Sequence, residues 1–274
     1  MDRHAVGAIE IIGLADGTGQ FTPDLFPGTE ESHISGILAD AGKTDIATAF
    51  NAYVIKSCEA VMLVDAGPRD LMGPTAGGLQ DELAVAGVAP SDVTHIVFTH
   101  LHPDHVAGSI TADGTPVFAN AQVMATEADV AFWSDATNFA GAPEMAQQFQ
   151  QLAVAVLGAY GDRLTQVADN ADIVGGVSLI PLPGHTPGHV GVRVTDGDAM
   201  LLHVADIFHA QDLQLADPEI AISFDIDPDT ARATRKRILD ELATDGTVFT
   251  GSHLGAPKFA TLERAGSGYR LSGL

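Results

Sequence analysis

The sequence predicts an α/β fold of the α+β kind, in which strands present polar residues on the loops at their ends. Three observations predict it. Short β-branched apolar runs alternate with longer stretches whose apolar residues recur at helical spacing. At 46% hydrophobic, 274 residues can bury a full core, which excludes a disordered chain. The His and Asp residues that interrupt the apolar pattern follow strands.

The elements are read in chain order. Residues 6–14 (VGAIEIIGL) read as a strand closed by the turn pair Asp16-Gly17. Residues 21–45, rich in Gly, Pro and polar side chains, read as irregular. Residues 48–56 and 60–65 read as paired strands ended by Asp65-Ala66-Gly67. Residues 78–87 have helical spacing with Gly87 as a stop, and 94–99 (THIVFT) read as a short buried strand. Residues 126–133 and 143–158 read as helices, and 173–182, 189–194 and 199–205 as strands. Residues 228–243 are the clearest helix, with Pro228 at the start and Gly246 past the end. Residues 247–250 make a last strand. No repeat, low-complexity tract or linker interrupts the series, so one domain spanning 1–274 is expected.

Bulk properties exclude several function classes. With 36 acidic against 13 basic residues, the formal charge is -23. Such a surface repels phosphate backbones, so nucleic acid is not expected as a partner. Its simplest meaning is solubility, a salty environment being one setting for it. No run of 18 apolar residues appears, so no membrane span is expected. The N-terminal stretch lacks the basic, apolar and small-residue regions of a signal peptide, and a cytoplasmic location is expected. The single Cys58 forms no intramolecular disulfide and fits a reducing compartment. Any metal site here must therefore be built from His and carboxylate.

The segment Thr99-His100-Leu101-His102-Pro103-Asp104-His105 places four ligand-type residues in six positions. Alternate residues of an extended segment point the same way, so His100 and His102 can converge on one ion. Asp104 and His105 follow a bend favoured by Pro103 and can face a second ion. A lone His is more often structural than a ligand. Burying four such groups together without metal would leave several polar atoms to satisfy at once. Zinc accepts imidazole nitrogen and carboxylate oxygen. Three further residues stand beyond later strands: His185 in LPGHTPGH, Asp206 after 199–205, and His253 after 247–250.

The order His100-Leu-His102-Pro-Asp104-His105, then His185, Asp206 and His253, resembles the metallo-β-lactamase superfamily over nearly the whole chain. The resemblance implies an αββα sandwich of two mixed β-sheets flanked by helices. It also implies two divalent metal ions per chain, Zn2+ in the first instance. The first ion would take His100, His102 and His185, the second Asp104, His105 and His253, and Asp206 would bridge them. The implied chemistry is attack by a metal-bridging hydroxide on a carbonyl or phosphoryl centre. Two zinc ions carry four positive charges, of which Asp104, Asp206 and hydroxide remove three, leaving a site able to receive an oxyanion. Asp104 and Asp206 are on this reading both ligands and catalytic residues.

Residue types separate the branches of that superfamily. An Asp at 206 argues against the β-lactamases that use a Cys ligand there. His102 and the chain length argue against the diiron flavoproteins, and the acidic surface against the RNA-processing branch. The basic C-terminal region of glyoxalase II is missing. Stretches such as AGPRDLMGPTAGGLQDELAVAGV, EADVAFW, GHTPGHVG and SHLGAPKFATLERAGSGYR resemble the methyl parathion hydrolase-like and acyl-homoserine lactonase-like group across about residues 48–271. That group implies a hydrolase, often a homodimer, of small neutral lactones, aryl esters or phosphotriesters. Lactonase or esterase activity is the first expectation and organophosphate triester hydrolysis the alternative. A noncatalytic metal-binding protein is the reading from a different class.

Three aromatic residues, Trp133, Phe132 and Phe139, are candidates for the substrate-pocket wall, a core Trp being the alternative. His209 stands where acyl-homoserine lactonases place a Tyr. It is a candidate donor to the leaving oxygen, the alternative being an ordinary exposed His. His189 is expected to hold its loop rather than a metal, and Asp65 to orient a ligand His. His4, His33, His95 and His203 are read as structural.

Overall fold

Gly7, at φ 58°, turns β1 (Asp2–Val6) back onto the long strand β2 (Ile9–Phe21). The computed structural model describes residues 1–274, and in it the strand read at 6–14 is this hairpin. Asp16-Gly17 does not close β2. A bulge between Ala15 and Gly17 absorbs one residue, and β2 runs on to Phe21 beside β3 (Ile46–Lys56). The Asp16 carboxylate accepts from Gly77 N–H, which ties the bulge to a distant loop. The segment read as irregular contains helix α1 (Glu31–Asp40), of which Ile34 and Leu38 alone are fully buried. Two apolar contacts among polar residues gave no periodic signal.

The following elements are β4 (Val61–Val64), α2 (Leu79–Val85), β5 (His95–Val97) and the one-turn helix α3 (Pro103–Val106). Next come β6 (Gln122–Thr126), α4 (Glu127–Ser134), α5 (Glu144–Tyr160) and β7 (Leu164–Val167). The stretch read as one strand at 173–182 is two, β8 (Asp172–Val174) and β9 (Val177–Pro181), separated by Gly175-Gly176, both at positive φ. Then follow β10 (Val190–Asp196), β11 (Ala199–His203), α6 (Gln211–Gln214), α7 (Pro228–Asp245) and β12 (Val248–Thr250). The hairpin of β13 (Thr261–Ala265) and β14 (Gly268–Ser272) ends the chain. α7 begins where the sequence places it: Asp227 accepts from Thr230 N–H, Pro228 opens the first turn, and Gly246 ends it at φ 63°. None of the helices is long and apolar enough to cross a membrane.

A seven-stranded sheet runs in the order β1-β2-β3-β4-β5-β6-β7, and a five-stranded sheet in the order β12-β11-β10-β9-β8. Both are mixed: β4 to β7 are parallel, as are β11 and β12. Alternating residues decide the layers. Ile11, Met62, Val64, Leu179, Val192 and Leu201 point between the sheets. Ile12 and Leu63 face the other way, against α2, α4 and α5. Ile180 and Leu202 face Ile238, Leu239 and Leu242 of α7. Helices thus cover both outer faces, giving the αββα sandwich.

Arg235 on α7 is 1% exposed. It donates to the carbonyls of Ile207 (2.6 Å), Pro218 (3.1 Å) and Ile220 (2.8 Å), and lies 3.6 Å from Asp225. One guanidinium therefore ties down the long connection between β11 and α7. Arg235→Met would leave the Ile207 and Pro218 carbonyls without their donor, and would leave Ile220 only Gln214 and Asp225 only His185. Urea denaturation should show a loss of about 3–5 kcal/mol. A loss below about 1 kcal/mol would show that water takes over the guanidinium's role.

Candidate metal centre

Both sheets end at one edge of the sandwich, joined there by Val190 N–H donating to Thr99 carbonyl at 3.0 Å. The loop after β5 carries His100 and His102, and α3 turns Asp104 and His105 inward. The β9–β10 loop carries His185. Asp206 stands three residues past the end of β11, at His203, nearer the loop than the sequence reading to 205 implied. His253 follows β12. Two non-glycine residues beside the site are left-handed, Asp65 (φ 59°) and Ala205 (φ 46°). For Ala205 this is an uncommon conformation, and it turns the chain so that Asp206 faces the cluster.

The structure brings all seven candidate ligands together. His100 Nε2, His102 Nδ1 and His185 Nε2 lie 3.0, 2.9 and 3.2 Å apart. Asp104, His105, Asp206 and His253 form an adjoining set. Asp206 Oδ2 lies between the two. It is 3.7 Å from His100 Nε2 and 3.4 Å from His185 Nε2 on one side, and 3.2 Å from His105 Nε2 and 3.0 Å from His253 Nε2 on the other. Asp104 Oδ2 stands 3.4 Å from His105 Nε2 and 3.6 Å from His253 Nε2.

The outward nitrogens explain which inward ones are free. His105 Nδ1 donates to Asp65 Oδ2 (2.8 Å), His185 Nδ1 to Asp225 Oδ1 (2.9 Å) and His253 Nδ1 to the Ala49 carbonyl (2.8 Å). Each bond places the proton outward and leaves the Nε2 lone pair facing the cluster. Burial, and then neighbouring imidazoles, hold His100 and His102 well below the usual imidazole value, so both are neutral ligands. Burial opposes ionisation of Asp206, but positive charge in the cluster, carried by His105 and His253 whenever they are protonated, outweighs it and holds the carboxyl well below the usual range.

Buried polar atoms test whether metal fits. His105 Nε2 and Asp206 Oδ1 are buried without a hydrogen-bond partner, and three imidazole lone pairs face one point. Such an arrangement costs several kcal/mol per group unless a cation fills it. Nitrogen and carboxylate donors in two sets of three around one carboxylate suit two divalent ions.

The neighbouring residues are placed as follows. His189 Nδ1 donates to the Leu182 carbonyl (2.8 Å), and its Nε2 accepts from Asp206 N–H (3.2 Å). His209 is 3% exposed rather than on the surface. Its ring stacks on His253 at 4.8 Å and its Nε2 lies 3.2 Å from Asp206 Oδ2. Burial pushes His209 down to about 4, so it is neutral at pH 7. A cleft of about 410 Å3, its open mouth included, lies over the cluster. Phe21, Phe50, Met72, Phe149 and Phe224 line it together with His102, Asp104, Asp206, His209 and His253.

This corrects the expected wall. Trp133, Phe132 and Phe139 pack on one another behind His102 and do not line the cleft. Trp133 is 1% exposed, stacked on Phe139 at 5.2 Å and edge-on to His102 at 5.3 Å. Its role there is to back a ligand. The actual walls come from β2, β3, the 65–78 loop, α5 and the 215–227 connection, segments with no common signal in sequence. Sequence reasoning also missed Asp225, Asp129 and Arg235. Only their distant partners give them meaning, although Asp129 stands inside the EADVAFW motif.

The Metallo-beta-lactamase superfamily model matches residues 48–253, which contain the whole ligand set. A probable metallo-hydrolase of Mycobacterium bovis is 29% identical over 194 residues, 60% of this chain and 58% of its own length. A probable metallo-hydrolase of Mycobacterium tuberculosis matches equally. The chain thus spans little more than half the length of these curated relatives. The crystal structure of the hydrolase AbOPH superposes with TM-score 0.92 at 28% identity, covering 99% of this chain and 96% of that one. AidC, a dizinc quorum-quenching lactonase solved with its product, superposes with TM-score 0.91 at 26% identity, covering 100% and 97%. With its fold, its ligand order and the family model in agreement, the chain belongs to the metallo-β-lactamase superfamily.

Proposed function

We propose that the chain is a dinuclear metal-dependent hydrolase of neutral lactones or aryl esters, with zinc as the metal. One observation carries the reading: seven inward-facing donors lie beneath a cleft walled by four Phe and one Met, with no Lys or Arg among its lining residues. A substrate that bears a carboxylate needs a cation to seat it, and this cleft offers none beyond the metal centre. A flat, neutral, apolar substrate fits the aromatic walls. The same cleft would accept a neutral aryl phosphotriester, which is the second reading. AidC, the dizinc lactonase, supports both the metal and the lactone.

Two divalent ions, held by His100, His102, His185, Asp104, His105, His253 and Asp206, would supply an activated water and polarise the attacked carbonyl. The Phe walls hold the substrate's apolar part so that the carbonyl meets Asp206 and its neighbours. Attack forms a new C–O bond, and the ring or ester C–O bond breaks. The leaving oxygen then needs a proton. That proton comes from the attacking water, and His209, neutral and beside Asp206, is the group placed to hydrogen-bond the leaving oxygen as it takes the proton up.

Dialysis against chelator should abolish hydrolysis and zinc should restore it, while Asp206→Ala should lower both metal content and kcat, the latter by at least about a hundredfold. Full activity in a metal-free preparation would sink the reading. His209→Ala should slow alkyl lactones, whose leaving oxygen is basic, by about a hundredfold, and hardly affect nitrophenyl esters, whose phenolate leaves unaided. An equal effect on both series would remove His209 from assistance to the leaving oxygen. Finally, kcat/KM for an aryl lactone should exceed that for its carboxylated analogue and for an aryl phosphotriester. The reverse order against the phosphotriester would favour the second reading.

A further inference from the structure

The clearest buried group without a role in the metal centre is Asp129, in the first turn of α4. Its side chain is fully buried, at 0% exposure, and touches neither the cleft nor any of the seven donors. One oxygen, Oδ2, accepts from Leu101 N–H at 3.1 Å. The other, Oδ1, accepts from Gly188 N–H at 2.7 Å. Leu101 lies between His100 and His102, and Gly188 lies three residues past His185. A single carboxylate therefore holds both loops that deliver the three-histidine set.

The same helix turn grips Gly188 a second time. Thr126, which caps α4 by accepting from Asp129 N–H at 3.3 Å, donates its hydroxyl to the Gly188 carbonyl at 2.8 Å. Both backbone groups of Gly188 thus dock on α4. A Cβ at 188 would sit 2.1 Å from Thr126 Oγ1 and 2.5 Å from Asp129 N, so only glycine permits this approach. That gives the second Gly of GHTPGH a physical reason.

We infer that Asp129 is the positioning residue of the three-histidine set: its carboxylate fixes the spacing between the 100–102 segment and the 185–188 turn, and so the convergence of His100, His102 and His185. The inference rests on the metal-centre reading. Two N–H donors need two acceptors. Asparagine has one carbonyl oxygen, and its amide group would meet the other N–H donor to donor. The Asp104, His105 and His253 set is built on α3, Asp65 and Ala49, none of which touches Asp129. Damage at Asp129 is therefore selective.

The test is cobalt titration of the chelator-stripped full chain. Cobalt absorption separates the nitrogen-rich set of three imidazoles from the set that adds the Asp104 carboxylate. Wild type should take up two ions. Asp129→Asn should weaken the three-histidine set by about tenfold to a hundredfold, with the second set little changed and with the variant still melting cooperatively. No weakening, or equal weakening at both sets, overturns the inference. If Asp129→Asn does not fold, Gly188→Ala carries the same test, since it lifts the loop off α4 without removing a carboxylate; unchanged affinity of the three-histidine set there overturns the inference too. A wild-type chain that takes up no cobalt sinks the metal reading and the inference with it. Two ions in wild type and an unaltered Asp129→Asn sink the inference alone.

Discussion

Asp206 sets the constraint on which the rest of the structure depends. One oxygen of a buried carboxylate faces five imidazole nitrogens, those of His100, His105, His185, His209 and His253, all within 3.0–3.7 Å. Lone pairs and a negative charge at that density, on groups almost wholly buried, are unfavourable unless cations share them. The chain must therefore hold seven groups at fixed positions, since all but the partly exposed Asp104 are buried. Strand ends meet this demand better than flexible loops would. Each donor stands within a few residues of a paired backbone, and the two sheets are joined at that edge by Val190 and Thr99.

A surrounding layer makes the geometry specific. Asp65, Asp225 and the Ala49 carbonyl each take an outward imidazole proton, which decides where the lone pair points. Asp225 in turn lies 3.6 Å from Arg235, whose guanidinium holds three carbonyls of the connection that also supplies Phe224 to the cleft. Ligand orientation, loop position and cleft shape are thus coupled through one buried cation on α7. Trp133 supports His102 from the far side by packing rather than by hydrogen bonds. Cleft and centre are built by the same segments, so a change in either propagates to the other.

How much of this was legible in the sequence follows from how local each signal is. The ligand order could be read because four ligand types crowd between His100 and His105, and the others stand past apolar runs. α7 could be read because Asp227, Pro228 and Gly246 mark its ends chemically. By contrast, α1 was hidden because two buried residues do not make a stripe. The bulge at Ala15 to Gly17 looked like a turn, since Asp-Gly serves both and only the pairing of β2 with β3 decides. The cleft was not legible at all. Trp133 lies close in sequence to the centre's scaffold and looked like a wall, while the true walls Phe21, Phe50, Phe149 and Phe224 lie up to about 200 residues apart. No spacing rule brings them together before the sheets do.

The cleft and the overall charge bear on substrate choice in the same direction. The formal charge of -23 surrounds the molecule with a field that repels anions at the distance of a Debye length, about 8 Å at physiological salt. The lining offers no Lys or Arg to overcome that field locally. An anionic substrate would have to approach against repulsion and, once inside, find its charge matched only by the metal centre, where the reacting carbonyl must go. A neutral lactone or ester meets neither obstacle. Under the proposed reaction its ester bond becomes a carboxylic acid, which ionises at neutral pH. The same acidic surface that leaves the substrate's approach unaffected then favours departure of the product, and the aromatic walls hold no cation to detain it. Acidity that reads in sequence only as solubility thus acquires a direction once the cleft is seen to be aromatic and uncharged.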